Sequence, residues 1–152
     1  MWSSAPVVAG ALLFTAACSS GEVSIAPPNP AGRVVEQCDH LGNRVPHRLV
    51  GLHPRRTTPA SSLTFAWGSP PVTLSCGVPK PEGFSPNASQ TIQVDGVRWY
   101  QQIYPTVVVW TAVRSTADGP VYVALRVPTH YTAADSFLTA LAQPLRLALS
   151  AT

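Results

Sequence analysis

The stretch from Leu63 to Cys76 reads LTFAWGSPPVTLSC, and its alternation decides the fold. Leu63, Phe65 and Trp67 alternate with Ser62, Thr64 and Ala66, the period of a strand with one apolar face. Gly68-Ser69-Pro70-Pro71 turns the chain, and Val72, Leu74 and Cys76 resume the alternation against Thr73 and Ser75. Two such runs around a Gly/Pro turn predict a β-hairpin, with Cys76 on its apolar face.

Toward the C-terminus, Ile92 and Val94 alternate up to Asp95-Gly96, a tight-turn pair. Val97, Trp99, Gln101 and Ile103 continue beyond it. Thr106 to Arg114 is β-branched and holds Trp110, and Ala117-Asp118-Gly119-Pro120 turns the chain again. Val121, Val123, Leu125 and Val127 alternate with Tyr122, Ala124 and Arg126 until Pro128 stops the strand. Thr132-Ala133-Ala134-Asp135 reads as a capping box. It opens a helix with Phe137, Leu138 and Leu141 on one face, which Pro144 breaks or kinks.

Toward the N-terminus, Val34, Cys38, Leu41 and Val45 lie at helical spacing, predicting a short helix from Val34 to Val45 that Pro46 ends. Arg48 to Ser61 and Gly77 to Gln90 are Pro-rich and read as loops. The predicted fold class is therefore α+β: an antiparallel sheet of five or six short strands, with an N-terminal and a C-terminal helix packed on one face.

Residues 1–17 read as a lipoprotein signal peptide. Ala5 to Ala17 is uncharged and dominated by Val, Ala, Leu and Phe. It has the length of a signal-peptide apolar core and is too short to span a bilayer. It ends in Thr15-Ala16-Ala17-Cys18, small residues before a Cys whose thiol would take a diacylglycerol. Thr15 stands where such signals usually carry Leu, and Met1-Trp2-Ser3-Ser4 lacks the usual basic start. Residues 18–33 read as the lipidated Cys18 and a flexible tether, rich in Ser, Pro and Gly. Residues 34–152 are the exported domain.

The chain has 3 Cys. With Cys18 modified, Cys38 and Cys76 remain as an even pair, which in an oxidising compartment reads as a disulfide. The rival reading is a metal site of Cys38, His40 and Cys76.

Cys38 with Leu41 and Val45-Pro46, Trp67-Gly68-Ser69-Pro70-Pro71-Val72, Leu74-Ser75-Cys76-Gly77-Val78-Pro79 and Val94-Asp95-Gly96-Val97-Arg98-Trp99 occur in this order. This pattern resembles the domain of unknown function 3515 family of small actinobacterial lipoproteins, from about Val34 to Leu149. The resemblance implies export, lipidation and a paired Cys, and no established activity.

Charged residues make up 11% of the 152 and the formal net charge is +3, far from the dense basic stripe of a nucleic-acid binder. No Gly-x-Ser-x-Gly elbow, His-Glu-x-x-His helix or phosphate-cradling loop occurs, so neither catalytic residue, metal nor cofactor is assigned. His40, His47 and His53 do not have the spacing of a helix-face metal pair. The one charge cluster is Arg44, Arg48, Arg55 and Arg56, with no acid between His40 and Arg56. It is read either as a contact for anionic headgroups or cell-wall polymers or as a solvated loop. Trp67 and Trp99 lie in phase with apolar neighbours and read as core. Tyr100 and Trp110 fall on the opposite phase and read as an exposed aromatic surface.

The function expected is a non-enzymatic lipoprotein, lipid-anchored on the extracytoplasmic face of the cell membrane, that binds or helps assemble an envelope protein or cell-wall polymer. The alternatives are a ligand- or glycan-binding module using Tyr100 and Trp110, and an enzyme of unrecognised type.

Overall fold

A computed structural model of the chain describes residues 21–150. In chain order the elements are β1 (Val23–Ser24), α1 (Gly32–Gly42), β2 (Pro54–Arg55), β3 (Thr57–Thr58), β4 (Thr64–Trp67), β5 (Val72–Cys76), β6 (Thr91–Val94), β7 (Val97–Ile103), β8 (Val107–Thr116), β9 (Gly119–Pro128) and α2 (Ala134–Ala148). The fold is α+β. The main sheet has seven strands in the order β2–β4–β5–β9–β8–β7–β6, and β1 pairs with β3 in a separate two-stranded sheet.

Turn chemistry explains the hairpins. Phe65 faces Leu74 and Trp67 faces Val72 across the β4–β5 turn. Asp95 and Gly96 both have positive φ, 47° and 80°, as the two-residue turn joining β6 to β7 requires. Ala117-Asp118 joins β8 to β9, with Thr116 opposite Gly119. Pairing of β5 with β9 then unites the hairpins.

The seventh strand corrects the expected five or six. It is β2, inside the stretch read as a loop. Two residues are too few to show a period, and β2 carries Pro54, which is tolerated because β2 lies at the sheet edge. Two strands are also longer than expected, since β8 and β9 have 10 residues each.

Register places Phe65, Leu74, Leu125, Trp110 and Gln101 in one row across the sheet. Cys76, Val123, Ala112, Trp99 and Ile92 form another row on the same face. The buried members of these rows share one core with Cys38 and Leu41 of α1 and Phe137, Leu138, Leu141, Ala142 and Leu145 of α2. Cys38 and Cys76 are joined by a disulfide across this interface, with Cα atoms 5.7 Å apart. Gln37 Nε2 donates to Thr116 Oγ1 at 3.0 Å, tying α1 to the end of β8.

Both helix boundaries differ from expectation. α1 ends at Gly42 with Asn43 as its C-cap, not at Val45, because Gly is a poor helix former. The capping box does not form: Ala133 is the N-cap and no side chain bonds there. Pro144 lies inside α2 rather than ending it. Pro costs about 3 kcal/mol within a helix, while burying Leu145 and Leu149 beyond it returns about 1.5–3 kcal/mol each. The apolar gain wins, so the helix continues.

Irregular chain covers part of the opposite sheet face, while Arg98 and Arg126 on that face stay exposed. Phe84, from the loop between β5 and β6, packs edge-on against Tyr100 (5.5 Å between centroids) and Tyr122 (6.1 Å). Tyr100 Oη donates to the Glu82 carbonyl at 3.3 Å.

Residues 21–31 depart most from the sequence reading. They belong to the stretch expected as tether, yet they lie on the domain. Val23 pairs with Thr57 and Ser24 with Thr58, and the Val23 side chain is buried. Further along, Pro30 sits so close to Gly77 that a Cβ there would lie 2.7 Å from Pro30 Cγ. Composition suggested no burial here, because a single apolar side chain and a handful of backbone bonds leave no periodic trace.

Candidate functional site

A cleft opens where the end of α1 meets the β2–β4 edge. Its volume is about 420 Å³. Val45, Pro46, Phe65 and Trp67 supply apolar lining, and His47, Arg55, Arg56, Thr57, Ser61 and Thr64 supply polar groups. No carboxylate lines it.

Each part of this site has a local cause. Trp67 closes β4 on the core side, and its Nε1 donates to the Pro46 and His47 carbonyls at 3.2 and 3.1 Å. That bond holds the loop after α1 against the strand edge. Phe65 stacks beside Trp67, with centroids 6.3 Å apart. Arg55 sits on edge strand β2, where pairing of Arg55 with Ala66 fixes its backbone. Its Nη1 donates to the Gly68 carbonyl at 2.7 Å and its Nε to the Gly21 carbonyl. Arg55 therefore holds the β4–β5 turn and the N-terminal segment together while its charge stays at the cleft. Arg56 is exposed and, among the described residues, has no ion pair or side-chain hydrogen bond. A smaller pocket on its other side is lined by Gly21, Glu22, Pro54, Arg55 and Arg56.

The arrangement gathers only part of the predicted cluster. Arg55, Arg56 and His47 converge on the cleft. Arg44 instead turns back on α1, donating to the His40 carbonyl at 3.1 Å. Arg48 pairs with His53 Nδ1 at 3.3 Å. Neither Arg44 nor Arg48 lines the cleft. The sulfurs of Cys38 and Cys76 are bonded to each other, so they do not form a metal site with His40. Among the described residues no group of three His, Cys, Asp or Glu could hold a metal. Cys18 lies outside the described residues.

The predicted aromatic surface is corrected. Tyr100 is only 6% exposed and Trp110 8%. Trp110 lies in the same row as Leu74 and Leu125, on the helix-covered face. Tyr100 points to the other face, where Phe84 covers it. Alternation predicts one wet face, whereas the sheet is covered on both faces at Tyr100 and Trp110. Sequence reasoning missed Phe65, Val45 and Pro46 as cleft lining. Phe65 carries a signal only in retrospect, as a strand aromatic next to the basic loop.

A second polar constellation lies at the far end of α2. Arg114 Nε donates to the Leu149 carbonyl at 3.2 Å and Nη1 to the Gly96 carbonyl at 3.3 Å. Burial, then the nearby Arg146, pushes its guanidinium below the usual range. Its hydrogen bonds go to the chain's own carbonyls, so its role is structural.

Among the described residues no helix is long and apolar enough to cross a membrane. No curated protein and no solved structure matches the chain. The motifs around Trp67, Cys76 and Asp95 sit at the hairpins and the disulfide that build this sheet, and they fall within residues 4–152, the span matched by one family model; the chain belongs to the family described as Protein of unknown function (DUF3515).

Proposed function

We propose that this chain is a non-enzymatic lipoprotein of the bacterial cell envelope, anchored through Cys18 on the outer face of the cell membrane, whose domain binds an anionic partner at the Arg55–Arg56 cleft. The anchor rests on the uncharged run from Ala5 to Ala17 and the small residues before Cys18. The observation that carries the binding role is the cleft itself: three basic groups over an apolar floor, with no carboxylate in the lining. A cleft of this size suits a ligand or a chain segment. With one His, three hydroxyl side chains and no carboxylate, it lacks the paired acid and base of a hydrolytic site, so binding is the better reading.

Two measurements test this reading. Cells fed labelled palmitate should mark the wild-type chain and not Cys18→Ala, which should also leave the membrane fraction. Equal label and retention in both would overturn the anchor. For the cleft, the full Cys18→Ala chain should bind soluble polyphosphate at low salt and release it as salt rises. Arg56→Ala should weaken that binding about fivefold, roughly 1 kcal/mol for one basic group facing an anionic surface. Unchanged binding in Arg56→Ala would overturn the cleft as the site.

A further inference from the structure

The chain is fixed to its domain from Gly21 onward. The Gly21 carbonyl accepts from Arg55 Nε. Val23 N donates to the Arg56 carbonyl at 2.8 Å and Ile25 N to the Thr58 carbonyl at 3.1 Å. Only Ser19 and Ser20 separate Gly21 from Cys18. Three peptide links reach at most about 11 Å. A free tether from Ser19 to Arg33 would instead have a root-mean-square span of roughly 20 Å.

That difference decides where the domain sits. Charges are screened over about 8 Å at physiological ionic strength. A domain on a free tether would hold its cations well beyond that range. With β1 docked on β3, the point where the chain leaves the domain lies beside Arg55 and Arg56, with Glu22 as the one carboxylate in the adjoining pocket. We propose that this edge, built from Gly21–Val23, Pro54–Arg56 and the cleft mouth, faces the bilayer and seats Arg55 and Arg56 among anionic phospholipid headgroups. The inference rests on lipidation of Cys18 and names the anionic partner of the cleft. The short reach from Cys18 favours a bilayer over a protein partner, and the positive charge where the chain emerges suits anionic headgroups. Each Arg at such a surface favours it about fivefold, so the pair contributes about twenty-fivefold.

The test supplies the lipid chemically, which separates it from lipidation in cells. With Cys38 and Cys76 bonded, Cys18 is the chain's one thiol, and a thiol-reactive phospholipid couples the full chain to vesicles. A fluorescent non-natural residue is placed at Thr58, exposed near Arg56, or at Gln93 on β6. β6 is the opposite sheet edge from β2, six strand spacings or roughly 29 Å away. Headgroup-attached quencher in phosphatidylglycerol/phosphatidylcholine vesicles should quench Thr58 several-fold more than Gln93. Arg56→Glu, high salt or pure phosphatidylcholine should narrow the difference. Equal quenching at both positions on anionic vesicles would overturn the seating. Quenching that favours Thr58 equally on neutral vesicles would overturn the role of the headgroup charge. Absence of fatty acid on Cys18 in protein from cells would overturn the anchor, and is read separately.

Discussion

The two faces of the sheet are covered by different means, one by helices and the other, in part, by irregular chain. One face meets two amphipathic helices and a disulfide, so its cover is periodic, cross-linked and drawn from both ends of the domain. The other meets irregular chain, with Phe84 set against Tyr100 and Tyr122. Helices bury stripes of side chains that recur every three or four residues. A loop buries one side chain at a time and leaves its neighbours in water, as Gly83 and Ser85 around Phe84 illustrate. The first kind of cover is cooperative along an element, and the second depends on single anchors.

The largest effect should come from cutting the link on the helix face. Cys38 and Cys76 are 38 residues apart, and constraining a loop of that size stabilises by about 4 kcal/mol in the chain-entropy model. Reducing the purified chain, or replacing both residues by Ala, should lower its unfolding free energy by about 2–5 kcal/mol in chemical denaturation. A loss under about 1 kcal/mol would mean that the helices hold this face without the bond, and the contrast between the faces would weaken. Mass spectrometry of unreduced, alkylated protein from the envelope checks the bond itself. Both thiols found free would mean that no cross-link sets the helix face apart from the loop face.

On the loop face the corresponding anchor is Phe84. Truncating a buried Phe typically costs 3–5 kcal/mol. Here the surrounding loop can partly collapse, so Phe84→Ala should cost about 3 kcal/mol. Solvent should also reach Tyr100, which is measurable by its quenching in the variant. If stability were unchanged, the loop would be a passive lid and Tyr100 an accessible aromatic after all.

The sequence carried the sheet further than the site. Six strands were legible because Phe65, Trp67, Leu74, Val97, Trp99, Val123 and Leu125 alternate, and because Asp95-Gly96 permits only a tight turn. The disulfide was legible from counting Cys. The edge strand at Pro54–Arg55 was not, since two residues show no period. Docking of residues 21–31 was invisible for the same reason, as it depends on backbone N–H bonds from Val23 and Ile25 that any residue except Pro can make. The candidate site was half legible. A run of Arg and His without acid marked Arg55 and Arg56, yet nothing local says that Arg44 turns back on its helix while Arg56 does not. Tyr100 and Trp110 were misplaced because alternation identifies two faces, not which of them is wet.

The smallest expected effect lies on the helix-covered face, at the end of α2. Arg114 binds the Leu149 carbonyl at the C-terminus of α2 and the Gly96 carbonyl of the β6–β7 turn. A cation near a helix C-terminus is favoured by about 0.3–1 kcal/mol, and each hydrogen bond adds about 0.5–1.5 kcal/mol net. Against this stand the burial of the guanidinium and the charge of Arg146, which lower its pKa. A lowered pKa in a base means that folding disfavours the charged form. This penalty is fully present below the folded pKa and relaxes only as pH rises through it, at strongly alkaline pH. Arg114→Met keeps the apolar stem and removes both the bonds and the penalty, so the two effects partly cancel. The variant should lose about 1 kcal/mol, and the loss should stay flat between roughly pH 5 and 9, where both states keep the Arg charged. Arg146→Ala should change stability by less than about 1 kcal/mol, because the repulsion it removes is offset by the loss of a favourable cation from the last turn of α2. A variant at Arg114 more stable than the wild type would show that the hydrophobic alternative wins at this position, and that α2 is held by its apolar stripe alone.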